Sequence, residues 1–267
     1  MRQPLLLAVT LAAFTPIAAH AAPAPGDPIA AAVAGPDRTE ANRARDRYRH
    51  PLETLAFFGA APDQTLVEYF PGGGWYTEIL GPLLREKGQY IALIPANPRA
   101  EESTTKLFAA RKAALGANAR IATLDAATGA TSLAPASVDT ILTFRNIHNL
   151  IMNSDTAAPN AFAAFYKALK PGGVLGVVDH RLPEDRDSAL EKKSGYLKRS
   201  TIVKFATDAG FRLVAESEVN ANPRDKADYP RGVWTLPPTL TNGEVDRATY
   251  LAIGESDRMT LKFVKPE

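Results

Sequence analysis

The chain of 267 residues has no cysteine. That excludes thiolate nucleophiles, disulfide redox chemistry and thiolate metal sites. Histidine is scarce: four residues, at positions 20, 50, 148 and 180, none paired at helical ligand spacing. A histidine-rich metal site is therefore not expected, and no metal is assigned. No Gly-x-Ser-x-Gly elbow occurs, which argues against a serine hydrolase of the α/β type, and there is no Gly-Lys-Ser/Thr phosphate loop. Charge of one sign is also lacking. Lys and Arg number 31 against 29 Asp and Glu, a formal net charge of +2, which gives no electrostatic footprint for nucleic acid or an anionic membrane surface. Beyond the first twenty or so residues no apolar run approaches the length of a membrane span.

What is there begins with a short apolar leader. Arg2 makes a minimal charged region, Leu5 to Ala18 is mostly apolar, and Ala19-His20-Ala21 fits small-x-small cleavage. Residues 1–21 are expected to be a cleaved secretory signal, and the protein to be exported, periplasmic or secreted, with no integral membrane segment afterwards. Residues 22–38, rich in Ala and Pro, are expected to be a flexible mature N-terminus, and 39–267 a single domain. At this size, with 45% hydrophobic and 22% charged residues, such a domain buries a core without disulfides or metals.

The domain is organised around Thr65 to Gly81. Leu66, Val67, Tyr69 and Phe70 suit a buried strand; Glu78, Ile79 and Leu80 resume a helical pattern. Gly72, Gly73 and Gly74 between them allow φ > 0 and close approach of the backbone to a ligand. A strand, a glycine turn and a helix N-terminus form a nucleotide-binding geometry. Before this, Thr39 to Gly59 reads as a helix broken at Pro51, with a basic face or, in a sharper reading, a lid in which Tyr48, Arg49 and His50 cover the ligand. After it, strands are expected at Gln89–Ile94, Arg120–Leu124, Val138–Phe144, Val174–Val178, Phe211–Val219 and Arg258–Val264, with helices at Tyr76–Lys87, Arg99–Leu115, Ala157–Leu169 and Arg199–Ala209. A long insert runs from about 220 to 256. The alternation predicts an α/β, Rossmann-like, seven-stranded, mostly parallel sheet with helices on both faces and an antiparallel last strand.

In such a sheet ligands sit outside the carboxyl ends of the strands, where strand order reverses. The polar residues at those ends are Glu68, Asn97, Asp125, Arg145, Asn146, His148, Asn149, Asp179, His180 and Arg181.

The pattern resembles the class I S-adenosylmethionine-dependent methyltransferases, and within them a bacterial group of predicted methyltransferases bearing signal peptides. Glu68, Gly72 and Gly74 match the acidic residue and spaced glycines of the first motif, with Phe70 where the first glycine is expected. Asp125-Ala126 resembles the adenine-contacting position, and Lys170-Pro171-Gly172-Gly173 the family's late turn. The Pro-Gly-Gly-Gly-Trp-Tyr-Thr and Phe-Arg-Asn-Ile-His-Asn strings match the smaller group. The resemblance covers about residues 50–267. It implies S-adenosylmethionine as cofactor, bound by Glu68, Gly72, Gly73, Gly74, Tyr76, Thr77, Asn97, Asp125, Ala126 and Arg145. It implies a small-molecule substrate met by Asn146, Asn149 and Arg181. One departure stands out: after the second strand, where the family places a carboxylate for both ribose hydroxyls, this chain has Asn97, which accepts only part of that hydrogen bonding.

Methyl transfer is an in-line displacement governed by orientation and exclusion of water, and a base is needed only if the acceptor loses a proton. His148 and His180 are the candidate bases. Arg145 either anchors an anionic group or pairs with a nearby carboxylate. Two other classes stay open: an exported binding protein that kept the fold without the activity, and a dinucleotide-dependent oxidoreductase. The second is disfavoured because Thr77 stands where its third glycine would be.

Overall fold

The computed structural model describes residues 26–267; the expected signal segment lies outside the described residues. Nine strands form one mixed sheet: β1 Thr65–Tyr69, β2 Gln89–Pro95, β3 Arg120–Asp125, β4 Ala130–Thr131, β5 Val138–Phe144, β6 Leu169–Leu182, β7 Leu197–Lys198, β8 Arg212–Ser217 and β9 Arg258–Val264. Their order is β4-β3-β2-β1-β5-β6-β9-β8, with β7 paired to the end of β6. Neighbours from β3 to β6 are parallel, and β9 lies antiparallel between β6 and β8. The fold is thus the expected mostly parallel α/β sheet with an antiparallel final strand. The count exceeds seven because β4 and β7, of two residues each, are too short to carry a period.

Alternation along β1 sets the two faces. Val67 and Tyr69 join Ile91, Leu93 and Ile141 in the core beneath the helices Ala157–Ala168 and Arg199–Asp208. Leu66 joins Ala92, Ile94 and Leu142 beneath the helices Pro51–Phe58 and Thr77–Leu84. Glu68, on the second face, is the charged member of that layer and is buried.

Three local differences from the expected elements bear on the site. The stretch expected to be flexible contains a helix, Pro28–Ala34, capped by Asp27 and buried through Ile29 and Ala32; its Ala-rich composition hid one apolar face. The helix expected over 39–59 is three short ones, Glu40–Arg43, Asp46–Arg49 and Pro51–Phe58, with a break at His50 in the left-handed region as well as the turn at Ala44–Arg45. And Ile147–Asn153, for which the sequence reading assigns no element, is a helix.

β1 is flanked by β2 on one side and β5 on the other, so strand order reverses there. The crevice beyond β1 and β5 is where such a sheet takes a ligand.

Candidate active site

A cavity of about 350 Å³ opens at this reversal, a size that suits a small molecule. Its floor is the turn after β1, with Phe70, Pro71, Gly72 and Gly73, and the end of β5, with Phe144, Arg145, Asn146 and His148. His180 from β6 closes one side. Asn42, Arg45 and Arg49 descend from the N-terminal helices, and Trp234, Pro237 and Glu255 come from the insert. Of the three residues of the lid reading, Arg49 lines the cavity, while Tyr48 and His50 line a separate depression.

The turn holds strained backbone. Gly72 and Gly74 have φ of +56° and +79°, and Phe70, in the place of the expected glycine, has φ of 50°. A side chain in that region costs about 1–2 kcal/mol; the Phe70 ring recovers it by packing into both cores. A Cβ placed on Gly72 or Gly73 would meet nothing within 4 Å, so the turn is open above both. On Gly74 it would lie 2.8 Å from Leu107, so this glycine serves close packing against the helix Pro98–Ala110.

Glu68 faces away from the cavity. Its Oε2 accepts from Tyr90 Oη at 2.6 Å and Thr77 Oγ1 at 2.9 Å, and burial pushes the carboxyl up to about 7 despite those two bonds. Glu68 and Thr77 thus form a buried polar knot beneath the turn. Tyr76 is buried as well, its ring stacked on Phe144 with centroids 3.5 Å apart.

Two imidazoles face the cavity with their far nitrogens anchored. His148 Nδ1 donates to Asp179 Oδ1 at 2.8 Å. The fully buried Asp179 also accepts from the backbone N–H groups of Ile147, His148 and His180, so it caps the helix Ile147–Asn153 from a neighbouring strand. His180 Nδ1 pairs with Ser256 Oγ at 2.5 Å. Burial first, then His148 and the guanidiniums of Arg145, Arg258 and Arg49, hold His180 well below the ordinary histidine range and therefore neutral. The ring centroids are 5.1 Å apart, and neither Nε2 is hydrogen-bonded among the described residues. His148, Asp179 and His180 offer donor atoms within 4.8 Å of one another, a cluster that spacing did not reveal. Because Asp179 already accepts four N–H groups and arginines crowd the site, the arrangement reads as two positioned imidazoles with an anchoring carboxylate.

The other expected site residues divide. Asn146 lines the cavity, but its amide donates to the carbonyls of Tyr69, Phe70 and Phe144, tying the ends of β1 and β5 together. Asn149 lines the rim and is exposed. Arg145 lines the cavity with φ of 62°, and among the described residues no carboxylate pairs with it, which leaves the anchoring alternative. Arg181, expected at the substrate, does not line the cavity; it is spent in paired bonds to Glu218 and Asp257. Asn97, Asp125 and Ala126 do not line it either. Asn97 Oδ1 caps a helix through Ala100 N at 2.9 Å. Asp125 folds back on Thr128 Oγ1 and Ala127 N. Arg45, Glu255 and Trp234 were not expected at the site, because their pairing is set by contacts more than 200 residues apart or by the packing of the insert.

No protein-family model matches the sequence, and no curated protein sequence matches it. The fold, by contrast, has many solved relatives. A SAM-dependent methyltransferase from Aquifex aeolicus superposes with a TM-score of 0.56 at 17% identity, over 83% of this chain and 93% of that one. A putative sarcosine dimethylglycine methyltransferase from Galdieria sulphuraria gives 0.56 at 14% identity, over 84% and 85%. The [4+2]-cyclase SpnF gives 0.57 at 14%, over 87% and 85%. This chain therefore has the fold of the SAM-dependent methyltransferases, and at these identities the likeness is one of fold alone.

Set against that cofactor, the residues fit one end only. The open turn over Gly72 and Gly73 leaves room for an amino-acid moiety close to the backbone. The nucleoside end finds no free partner: Asn97 and Asp125 are both engaged elsewhere and stand outside the cavity.

Proposed function

We propose that the protein is an exported S-adenosylmethionine-dependent methyltransferase acting on a small molecule. The observation that carries this reading is the cavity at the reversal between β1 and β5, bounded by Gly72 and Gly73, in a fold whose solved neighbours include methyltransferases. The cofactor, when bound, supplies an electrophilic methyl group; what the chain contributes is position and proton handling. Asp179 holds the Nδ1 proton of His148, which leaves Nε2 as the basic nitrogen toward the cavity. His180, kept neutral, can accept a proton from an acceptor hydroxyl or amine without first losing one. Trp234 and the two prolines of the insert narrow the opening and limit water.

A second reading is supported by Asn97 and Asp125, which are taken up by a helix cap and a turn: a protein of this fold that binds a ligand without transferring methyl groups. One relative of equal structural similarity is a cyclase, so the fold does not entail the reaction. Calorimetry of the purified protein with S-adenosylmethionine and S-adenosylhomocysteine separates the two. Binding in the micromolar range supports the first reading, and no heat at millimolar concentration leaves the second. Export is tested by N-terminal sequencing of protein recovered from the periplasm or medium, where a start at Ala22 is expected.

A further inference from the structure

Four guanidiniums gather around the cavity with one carboxylate among them. Glu255 accepts from Arg45 Nε at 2.7 Å and Arg49 Nε at 3.2 Å, and pairs with Arg258 Nη1 at 3.3 Å. Arg258 is otherwise satisfied, donating to the carbonyls of Tyr48 and Ser256. The remaining three are not. Arg49 is 1% exposed, lines the cavity, and leaves Nη2 without a partner. Arg45 also lines it and leaves Nη2 buried and unpaired. Arg145 donates no side-chain hydrogen bond among the described residues and is held in a left-handed backbone conformation that only a functional or packing gain offsets.

A buried cation is costly, by several kcal/mol, when no anion compensates it. Arg49 is fully buried and shares Glu255 with the half-buried Arg45, and the half-buried Arg145 has no ion-pair partner among the described residues. Burial and mutual repulsion show in the groups themselves: burial and Arg258 pull Arg145 down to about 10, and burial with Arg145 lowers Arg49. Glu255, although burial opposes ionisation, is held at about 2 by Arg49, Arg258, Arg45 and Arg145. Asp179, the other buried acid nearby, is committed to His148 and three backbone N–H groups. One carboxylate cannot balance the cluster, and the excess is at least two positive charges facing a space the size of a small molecule.

We infer that the cavity is built for a small molecule bearing a doubly charged oxyanion, of which a phosphoryl group is the chemical class that fits: Arg45, Arg49 and Arg145 bind its oxygens opposite His148 and His180. A phosphate monoester carries about −1.5 to −2 charge at neutral pH and three acceptor oxygens, one for each guanidinium. Planar guanidiniums match this geometry and stay ionised when buried far better than lysine. A cation–π contact with Trp75, 4.7 Å from the Arg49 guanidinium, fixes that arginine in place before any ligand arrives. The inference names the substrate class of the methyltransferase proposed above and rests on its placing of the substrate in this cavity.

The test uses inorganic phosphate, with malonate, acetate and chloride at matched ionic strength, in thermal unfolding and calorimetry of the purified protein without any methyl donor. Phosphate is expected to raise the midpoint by a few degrees, with chloride and acetate inert. Arg145→Gln should weaken phosphate at least tenfold and raise the ligand-free midpoint, because its guanidinium has no protein partner to lose. Arg45→Gln, at a half-buried position away from the left-handed backbone at Arg145, should weaken phosphate in the same direction. Absence of a phosphate-specific shift overturns the inference, as does binding untouched by both substitutions. Tighter binding of malonate than of phosphate overturns the phosphoryl assignment. Phosphate binding in a protein that ignores S-adenosylhomocysteine would support this inference while removing the methyltransferase reading. The reverse pattern would remove this inference alone.

Discussion

The carboxylate of Asp179 meets Nδ1 of His148 at 2.8 Å while accepting the backbone N–H of the same histidine. A carboxylate accepts only, so the ring proton sits on Nδ1 and the Nε2 lone pair faces the cavity. Nitrogen-detected NMR should therefore report the Nδ1–H tautomer for His148 at pH 8. In Asp179→Asn the side-chain amide competes as a donor and that assignment should be lost. Asp179→Ala strips four N–H groups of their acceptor in a fully buried site and should cost roughly 3–5 kcal/mol in denaturant unfolding.

Glu68 makes a second prediction, in pH. Burial pushes its carboxyl to about 7 from an ordinary 4.5, so across that window the folded protein keeps a proton the unfolded chain has released. Stability from this group is full below 4.5 and lost as pH rises through 7, a change of about 3 kcal/mol. His180 acts in the opposite sense: its depressed value means the unfolded chain protonates first as pH falls below 6.5. The raw profile mixes the two, so the useful quantity is the difference between wild type and Glu68→Gln. Glutamine can still accept from Tyr90 and Thr77. It should gain about 3 kcal/mol on wild type between pH 4.5 and pH 8, measured by urea midpoints. A difference that does not change with pH would mean that Glu68 titrates normally.

These two sites also show which features are legible in the sequence and which are not. The strands whose ends carry Glu68 and Arg145 are apolar runs punctuated by glycine, proline or polar clusters, and both lie within a residue or two of their expected bounds. The strand carrying Asp179 does not, because it runs from Leu169 to Leu182 and takes in residues 170–173, which the sequence marks as a turn. The turn over Gly72–Gly74 is announced by its three glycines; the reversal beside it is not, because strand order rests on which strands pair across the sheet. Helix Ile147–Asn153 is not announced either, because its cap is supplied by Asp179, some thirty residues along the chain. The arginine cluster is equally opaque. Arg45 and Arg49 read as a solvated helix face until Glu255, from the far end of the chain, draws them inward. Asn97 and Asp125 lie where strand ends put them, but local capping turns their oxygens away from the cavity.

That local capping gives a third prediction. Asparagine and aspartate cap helices about equally well, so Asn97→Asp should leave stability within about 0.5 kcal/mol of wild type. It also returns a second carboxylate oxygen to the end of β2, able to accept from a ribose hydroxyl while the first keeps the cap. If the cavity takes the methyl donor, calorimetry should show S-adenosylhomocysteine binding about tenfold more tightly, or about 1.4 kcal/mol. Unchanged affinity would mean that the nucleoside does not reach β2 in this protein.

The glycine turn itself is tested by choosing the right glycine. Gly74→Val is a poor probe of ligand binding, because its Cβ would lie 2.8 Å from Leu107 at a φ of +79°. It should lose about 2 kcal/mol or more of stability whatever the turn binds. Gly73 has no such constraint: its φ lies outside the left-handed region and a Cβ there meets nothing within 4 Å. Gly73→Leu therefore places a branched side chain in the cavity at a cost to folding within about 1 kcal/mol. Thermal unfolding should show near-normal stability, and calorimetry at least a tenfold loss of cofactor affinity. Full retention of binding in Gly73→Leu would place the ligand away from the turn, and with it the chemistry assigned to His148 and His180.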